Sequence, residues 1–333
     1  MMQSKSRAGS RLAASLLCAA MGLSAPSAVA HPHETLPIQP VGTGPNDRGP
    51  VKITEPPADR SAECSDECLT AIADLYLDAL ERRDYSALPV AANLEVTENA
   101  YPSRIGEGLW KVLEKLNDER SYLTDPVSGN VLVLTTVEES AGETLILLLR
   151  LKVEDRKIAE VETMLTSDLI AAQHFMPENV PAFDPVAMSV LPADQQPTRE
   201  ELLENAQRWY YDEGEGLTVS EACVHWENAE PLPQFNCSVG KHLGGRSLAM
   251  SVRGVRNPIV DPERGLVVTF LLEDTTPYIN PDPPDHERTP LFYRNPMTFY
   301  QVQIAKFGKG GELLAHHVFM NAQGPGAPTI FFR

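Results

Sequence analysis

Several short patterns occur twice in this chain, in the same order. Glu98-Asn99-Ala100 recurs as Glu227-Asn228-Ala229, and Asp125-Pro126-x-x-Gly129 recurs as Asp261-Pro262-x-x-Gly265. Each Asp-Pro turn leads into an apolar strand closed by an acidic run, Glu138-Glu139-Ser140 in one case and Glu273-Asp274-Thr275 in the other. The following strands correspond too: 144–153 with 298–307, and 158–165 with 313–320. One Asp-Pro-x-x-Gly is an ordinary type I turn. A run of matches in fixed order is the mark of duplication. The chain must therefore build one supersecondary plan twice. The second copy carries an insert rich in Pro and Asp at 277–296.

The plan is α+β. Leu69, Ile72, Ala73, Tyr76, Leu77 and Leu80 recur at helical spacing, so 69–82 is read as an amphipathic helix. A second, shorter helix is expected at 106–116. Strands follow at 131–137, 144–153 and 158–166, and helices before an antiparallel meander signal α+β rather than α/β. Residues 176–197 hold five prolines and read as a linker. A new helix is expected at 199–211, with Thr198 as its cap and Glu201 in the capping-box position. The expected organisation is a signal at 1–30, a flexible leader at 31–60, a first domain at 61–175, the linker, and a second domain at 198–333. Each domain is expected to pack helices on a curved antiparallel sheet.

The ends and the charge bound the setting. Lys5, Arg7 and Arg11 precede a short apolar run and Ala28-Val29-Ala30, a signal-peptide pattern with an A-x-A cleavage site. The run is too short for a membrane anchor, so a periplasmic or secreted location is expected. The formal charge is -18, and removing those three positive charges takes it to -21. So acidic a surface, with no basic stripe, argues against nucleic acid as a partner. Cys18 leaves with the signal. Cys64, Cys68, Cys223 and Cys237 remain, an even count that favours disulfides in an exported chain. Cys64 and Cys68 are one helical turn apart, within bridging reach, and Cys223 and Cys237 flank a Pro-containing loop. No metal is expected. His31-Pro32-His33 would start the mature chain, but Pro32 lacks the N–H that a square-planar copper site needs.

The first copy resembles a secreted, uncharacterised SnoaL-like family of fungi and bacteria, within the nuclear-transport-factor-2-like superfamily. The resemblance rests on Cys64-x3-Cys68-Leu69, Tyr76-Leu77-Asp78-Ala79-Leu80, Leu88-Pro89, Val96-Thr97-Glu98-Asn99, Gly106-Glu107-Gly108-Leu109-Trp110 and the stretch Leu151-Lys152-Val153-Glu154-Asp155 through Glu162. It covers about a third of the chain. The second copy lacks the Gly-x-Gly-Leu-Trp segment. The resemblance implies two cone-shaped domains, each with a pocket between sheet and helices. Members of that superfamily include cofactor-free isomerases, dehydratases, cyclases, epoxide hydrolases and lyases, and also plain binding domains, so the fold alone does not choose an activity.

Candidate chemistry follows from strand alternation. In the first copy Leu94, Val96 and Glu98 share a face, and a carboxylate on an apolar face suits acid–base work. Tyr101 and Arg104 follow it and are candidates to hold a substrate oxygen. In the second copy Cys223, His225 and Glu227 share the matching face, and on the last strand His316 points inward while His317 points outward. His316 with Glu227 is the preferred dyad, and His225 with Glu227 a second acid–base pair. Trp110 and Trp226 are candidate substrate-binding walls. There is no G-x-S-x-G, P-loop, Rossmann or H-E-x-x-H motif. The expected activity is that of a cofactor-independent lyase, dehydratase or isomerase, acting on a small apolar or aromatic compound. The alternative is a non-catalytic binding protein for a hydrophobic molecule or a protein partner. A homodimer is compatible with either.

Overall fold

The computed structural model describes residues 64–168, 174–211, 216–237, 250–275, 296–328 and 331. The expected signal and leader, with His31 and His33, lie outside the described residues, as do 277–295 of the insert.

The chain runs α1 (Asp66–Arg82), β1 (Val90–Glu98), β2 (Tyr101–Pro102), α2 (Leu109–Val112), β3 (Leu113–Leu116), β4 (Ser121–Asp125), β5 (Asn130–Glu139), β6 (Thr144–Glu154) and β7 (Lys157–Thr166). A 3-10 turn (Pro177–Asn179) and the short α3 (Pro185–Met188) follow. The second half is α4 (Arg199–Tyr211), β8 (Thr218–Val219), β9 (Val224–Glu227), β10 (Glu230–Asn236), β11 (Met250–Asp261), β12 (Leu266–Thr275), β13 (Met297–Phe307) and β14 (Glu312–Gln323). Helix α1 starts where Ser65 Oγ accepts from Cys68 N at 3.4 Å, and ends where Arg83 turns left-handed at φ 55°. The expected 106–116 helix is a single turn. After α2 the chain straightens into β3, which pairs with the end of β5.

Two seven-stranded sheets result, and they share one connectivity. The first has the order β2-β1-β7-β6-β5-β3, with β4 also paired to β5; the second is β10-β9-β14-β13-β12-β11, with β8 on β14. Both sheets are mixed rather than antiparallel, because β1 runs parallel to β7 and β9 parallel to β14. The reason is topological: the first hairpin of each copy returns to the last strand only after the meander is complete. Strand β11 spans what β3 and β4 divide between them, with register shifts at Arg256.

The recurring residues do the same work in both copies. Asn99 and Ala100 have φ 50° and 67°, and Asn228 and Ala229 have φ 44° and 66°. Two successive positive φ values make the type I′ turn that matches strand twist. Asn99 Oδ1 accepts from Leu165 N at 2.7 Å, and Asn228 Oδ1 accepts from Met320 N at 2.8 Å. The Asp-Pro turns close alike, with Val153 N donating to Gly129 O and Phe307 N to Gly265 O, both at 2.8 Å. At Gly265 (φ +69°) a Cβ would stand 2.2 Å from Phe307 O, so only glycine fits.

The sheets pack against each other. One hydrophobic core joins Leu132, Leu134, Ile146 and Leu148 of the first to Val268, Phe270, Val302 and Phe319 of the second. The opposite faces are covered by α1 and by α4, each with its own core. A charged cluster crosses the shared layer. Glu162 accepts from Arg150 Nε at 2.7 Å, Arg256 Nη2 at 2.6 Å and Tyr300 OH at 2.8 Å. Burial alone would raise the Glu162 carboxyl, but Arg256, Arg150 and these hydrogen bonds hold it below the usual range. Asp125 adds a second tie, accepting from Arg199 Nη2 at 2.8 Å and Val260 N at 3.0 Å. The described residues thus fall in one compact unit. The Pro-rich 176–197 stretch packs onto it: Lys306 Nζ is fixed by the carbonyls of Val186, Ala187 and Ser189.

Both disulfides read from the sequence are present, Cys64–Cys68 with Cα atoms 5.2 Å apart and Cys223–Cys237 with Cα atoms 5.7 Å apart. Such bonds persist in oxidising compartments. Among the described residues no helix is long and apolar enough to cross a membrane.

Candidate functional site

In the first copy the face under α1 is closed by aliphatic side chains. Val137, Leu147, Leu149 and Val161 are at most 1% exposed and pack on Leu69, Leu77 and Leu80. Glu98 sits at the end of β1. Its Oε2 accepts from Leu109 N at 2.9 Å, so the carboxylate caps α2. It lies so close to Gly108 (φ +57°) that a Cβ there would be 2.3 Å from both oxygens. Burial raises the Glu98 pKa, and the Leu109 amide partly offsets this. Trp110 Nε1 donates to the Tyr76 hydroxyl at 3.1 Å, and Tyr85 packs edge-on against the indole. A cavity of about 10 Å³ remains, lined by Tyr76, Val96, Glu98, Arg104 and Trp110 among others. That is room for about one water molecule, far below the ~300 Å³ of a typical ligand pocket. Arg104 is exposed at its rim. Tyr101, 42% exposed, does not line it.

The second copy presents different chemistry on the matching face. His225 Nδ1 is 3.1 Å from His316 Nδ1, and His225 Nε2 is 3.0 Å from Glu227 Oε1. His225 therefore stands between His316 and Glu227, the pair expected to meet directly. His316 Nε2 lies 2.9 Å from Gln303 Oε1. Gln303 Nε2 donates to Gln301 Oε1 at 2.6 Å, and Gln301 Nε2 donates to Glu273. Six side chains on β9, β14, β13 and β12 thus form one hydrogen-bonded chain. The rings of Trp209, from α4, and His316 meet edge to face with centroids 5.1 Å apart. Burial, then the charges of His225 and His317, hold His316 well below the usual imidazole range, so it is neutral. At the open end the other Glu227 oxygen is 3.8 Å from His174 Nε2, and His174 Nδ1 is 3.2 Å from Glu230.

The ladder registers make the comparison position by position. Val96 pairs with Val161 where His225 pairs with His316. Leu147 and Leu149 face Leu165 and Thr163 where Gln301 and Gln303 face Met320 and Val318. Val137 faces Leu145 where Glu273 faces Phe299. Five apolar residues of the first copy are replaced by five polar ones, all joined to each other or to Glu227.

Alternation sends the neighbouring residues to the opposite face. His317 Nε2 is 3.0 Å from Asp184 Oδ2, and Trp226 stacks on His317 with centroids 5.3 Å apart. Trp226 therefore belongs to the layer between the sheets, apart from His225 and Glu227. Asp184 is held low: burial opposes this, but its hydrogen bond to His317, the His317 charge and two backbone amides prevail. Sequence reasoning missed Glu273, Gln301, Gln303 and His174. Gln301 and Gln303 were detectable by laying one copy on the other and asking where an apolar position turns polar; Glu273 was hidden by the matched acidic runs, which set it against Glu138, whereas the ladders set it against Val137. Among the described residues, no three of His, Cys, Asp and Glu are placed to hold a metal ion.

A search of curated proteins finds no match to this chain. Residues 62–165, within the first half of the chain, match the model of a family described as a domain of unknown function, DUF8021.

Proposed function

We propose that the second copy carries the functional site, and that it acts by cofactor-independent general acid–base catalysis on a small apolar or aromatic molecule, as a lyase, dehydratase or isomerase. The observation that carries this reading is the replacement of Val96, Val137, Leu147, Leu149 and Val161 by a connected polar set at matching positions. A buried polar network contributes less to folding than the apolar packing it displaces, so its presence points to use. Glu227 is the member that meets substrate: its side chain is 22% exposed, against 4% for His225 behind it. Glu227 removes or returns a proton, and His225 orients the carboxylate and shares that proton. Two SnoaL-like cones, boundaries at 61–175 and 198–333, and a periplasmic or extracellular location complete the reading. The helix over each sheet and the two disulfides support it.

Deuterium incorporation from D2O into a panel of small aromatic and terpenoid ketones and alcohols, followed by NMR, tests the proposal. Exchange into at least one compound is expected. Glu227→Gln and His225→Asn should each slow it about 10²–10⁴-fold, and Glu98→Gln should leave it unchanged. Thermal stabilisation by a compound without exchange would replace catalysis by ligand binding.

A further inference from the structure

Donor and acceptor rules give the six-residue chain a property that no pair within it has. Gln301 donates to Glu273 and Gln303 donates to Gln301, so the Gln303 oxygen faces His316 Nε2. An amide oxygen only accepts, so His316 carries its proton on Nε2. Its bare Nδ1 accepts from His225 Nδ1–H at 3.1 Å. One proton is then shared between His225 Nε2 and Glu227, 3.0 Å apart. Reversing every bond takes a proton transfer at each link together with a half-turn of both glutamine amides: each amide accepts a proton at its oxygen from the His316 side and releases one from its nitrogen to the Glu273 side, so its own proton count is unchanged. Glu273 now donates to Gln301, Gln301 to Gln303, Gln303 to His316 Nε2, and His316 Nδ1–H to His225 Nδ1. His225 Nε2–H donates to the Glu227 carboxylate. Both arrangements contain the same atoms and the same number of protons. They differ in where the surplus proton sits: at the Glu227–His225 end, or on Glu273.

We infer that Glu273, Gln301, Gln303, His316, His225 and Glu227 form a two-ended proton relay, in which a proton received at Glu227 is held at Glu273. This rests on reading the second copy as the site, and it gives a proton-transfer reaction a reservoir apart from the substrate. Glu273 is a positioning residue; it acts through the chain. Its surroundings fit the task. Burial lifts its carboxyl to about 7, against the Gln301 hydrogen bond and with help from the charges on Glu227 and Asp274. Asp274, next along β12, is neutralised by Arg253 of β11 and also bonded by Thr298 of β13. From α4 come Trp209 against His316 and Tyr210 beside Thr269. His317, on the far side of β14, is occupied by Asp184.

The test reads the tautomer of His316 by 15N NMR of histidine-labelled protein, assigned with His316→Asn. In Glu227→Gln the new amide satisfies His225 Nε2 in either direction, so no proton is shared at that end. Reversing the chain then requires protonation of Glu273. His316 should be Nδ1–H at low pH and Nε2–H at high pH, with a midpoint below the Glu273 value of about 7, because the variant lacks the Glu227 charge that helps to raise it. Adding Glu273→Gln should abolish the swap. A single His316 tautomer throughout, or a swap that survives in the double variant, overturns the relay. Glu227→Ala gives the same readout should Glu227→Gln not fold. Deuterium exchange by the unaltered protein without a tautomer swap would remove the relay and leave the site. A swap without exchange would do the reverse.

Discussion

Beneath α1, the first copy buries valine and leucine, and its ionisable group, Glu98, caps a single helical turn. Beneath α4, the second copy buries two histidines and two glutamines between two glutamates, on the same strand order and the same turns. Turns and ladder register are therefore compatible with either filling. What distinguishes the copies is chemistry placed on a shared backbone, where function resides when a fold does not dictate it. The layer between the sheets shows the converse. Glu162 and His317 occupy matching positions there, and both are polar, buried and partnered. That layer joins the copies through paired groups, although the His317 Nδ1 is buried without a hydrogen-bond partner.

Changes at four places sharpen the contrast. The largest effect belongs to the shared layer. Glu162→Ala leaves Arg150 and Arg256 buried without their common acceptor and should cost about 3–5 kcal/mol in urea unfolding. A loss below about 1 kcal/mol would mean that the copies do not depend on this cluster. The sign with pH follows from its lowered pKa. Its contribution is present above the ordinary glutamate range and lost as pH falls through the folded value, so acid should destabilise the unaltered protein more than Glu162→Gln. Next are the disulfides. Removing Cys223–Cys237, which spans 14 residues, should cost about 3 kcal/mol, and removing Cys64–Cys68, which spans 4, about 2 kcal/mol. Equal losses would point to strain or local packing instead of loop closure. Third, His316→Val strands Gln303 and His225, a loss of about 1–3 kcal/mol although the new residue is the apolar one native to the first copy. The smallest effect is at Glu98. Its pKa is raised, so its contribution is fully present below the unfolded value and declines as pH rises through the folded one. Glu98→Gln keeps the acceptor for Leu109 N and should flatten that decline in a melting-temperature profile. An unchanged slope would show that Glu98 is already solvated.

The duplication was legible because turns are written in few residues. Asn at the first left-handed position of each hairpin and Gly at the positive φ that ends each Asp-Pro turn are local demands, visible without coordinates. The disulfides and α4 were legible for the same reason. The pairing of β1 with β7 was not, because it joins strands separated by the whole meander and leaves no local trace. Residues 113–116 read as helix because Leu113 and Leu116 have helical spacing, yet strand pairing with β5 prevails. Within the site, alternation placed His225, Glu227 and His316 on one face. It did not show that His225 intervenes, because ring orientation depends on neighbours across three strands. Trp226 was read as a pocket wall, although the same alternation turns it away from His225.

The most direct measurement makes the second copy resemble the first: His225→Val, Glu273→Val, Gln301→Leu, Gln303→Leu and His316→Val together, followed by chemical unfolding. With every polar partner removed at once, none is left unsatisfied, so stability should be unchanged or raised while deuterium exchange disappears. A protein that fails to fold, or loses several kcal/mol, would show the polar chain to be scaffold and contradict its assignment as the functional site.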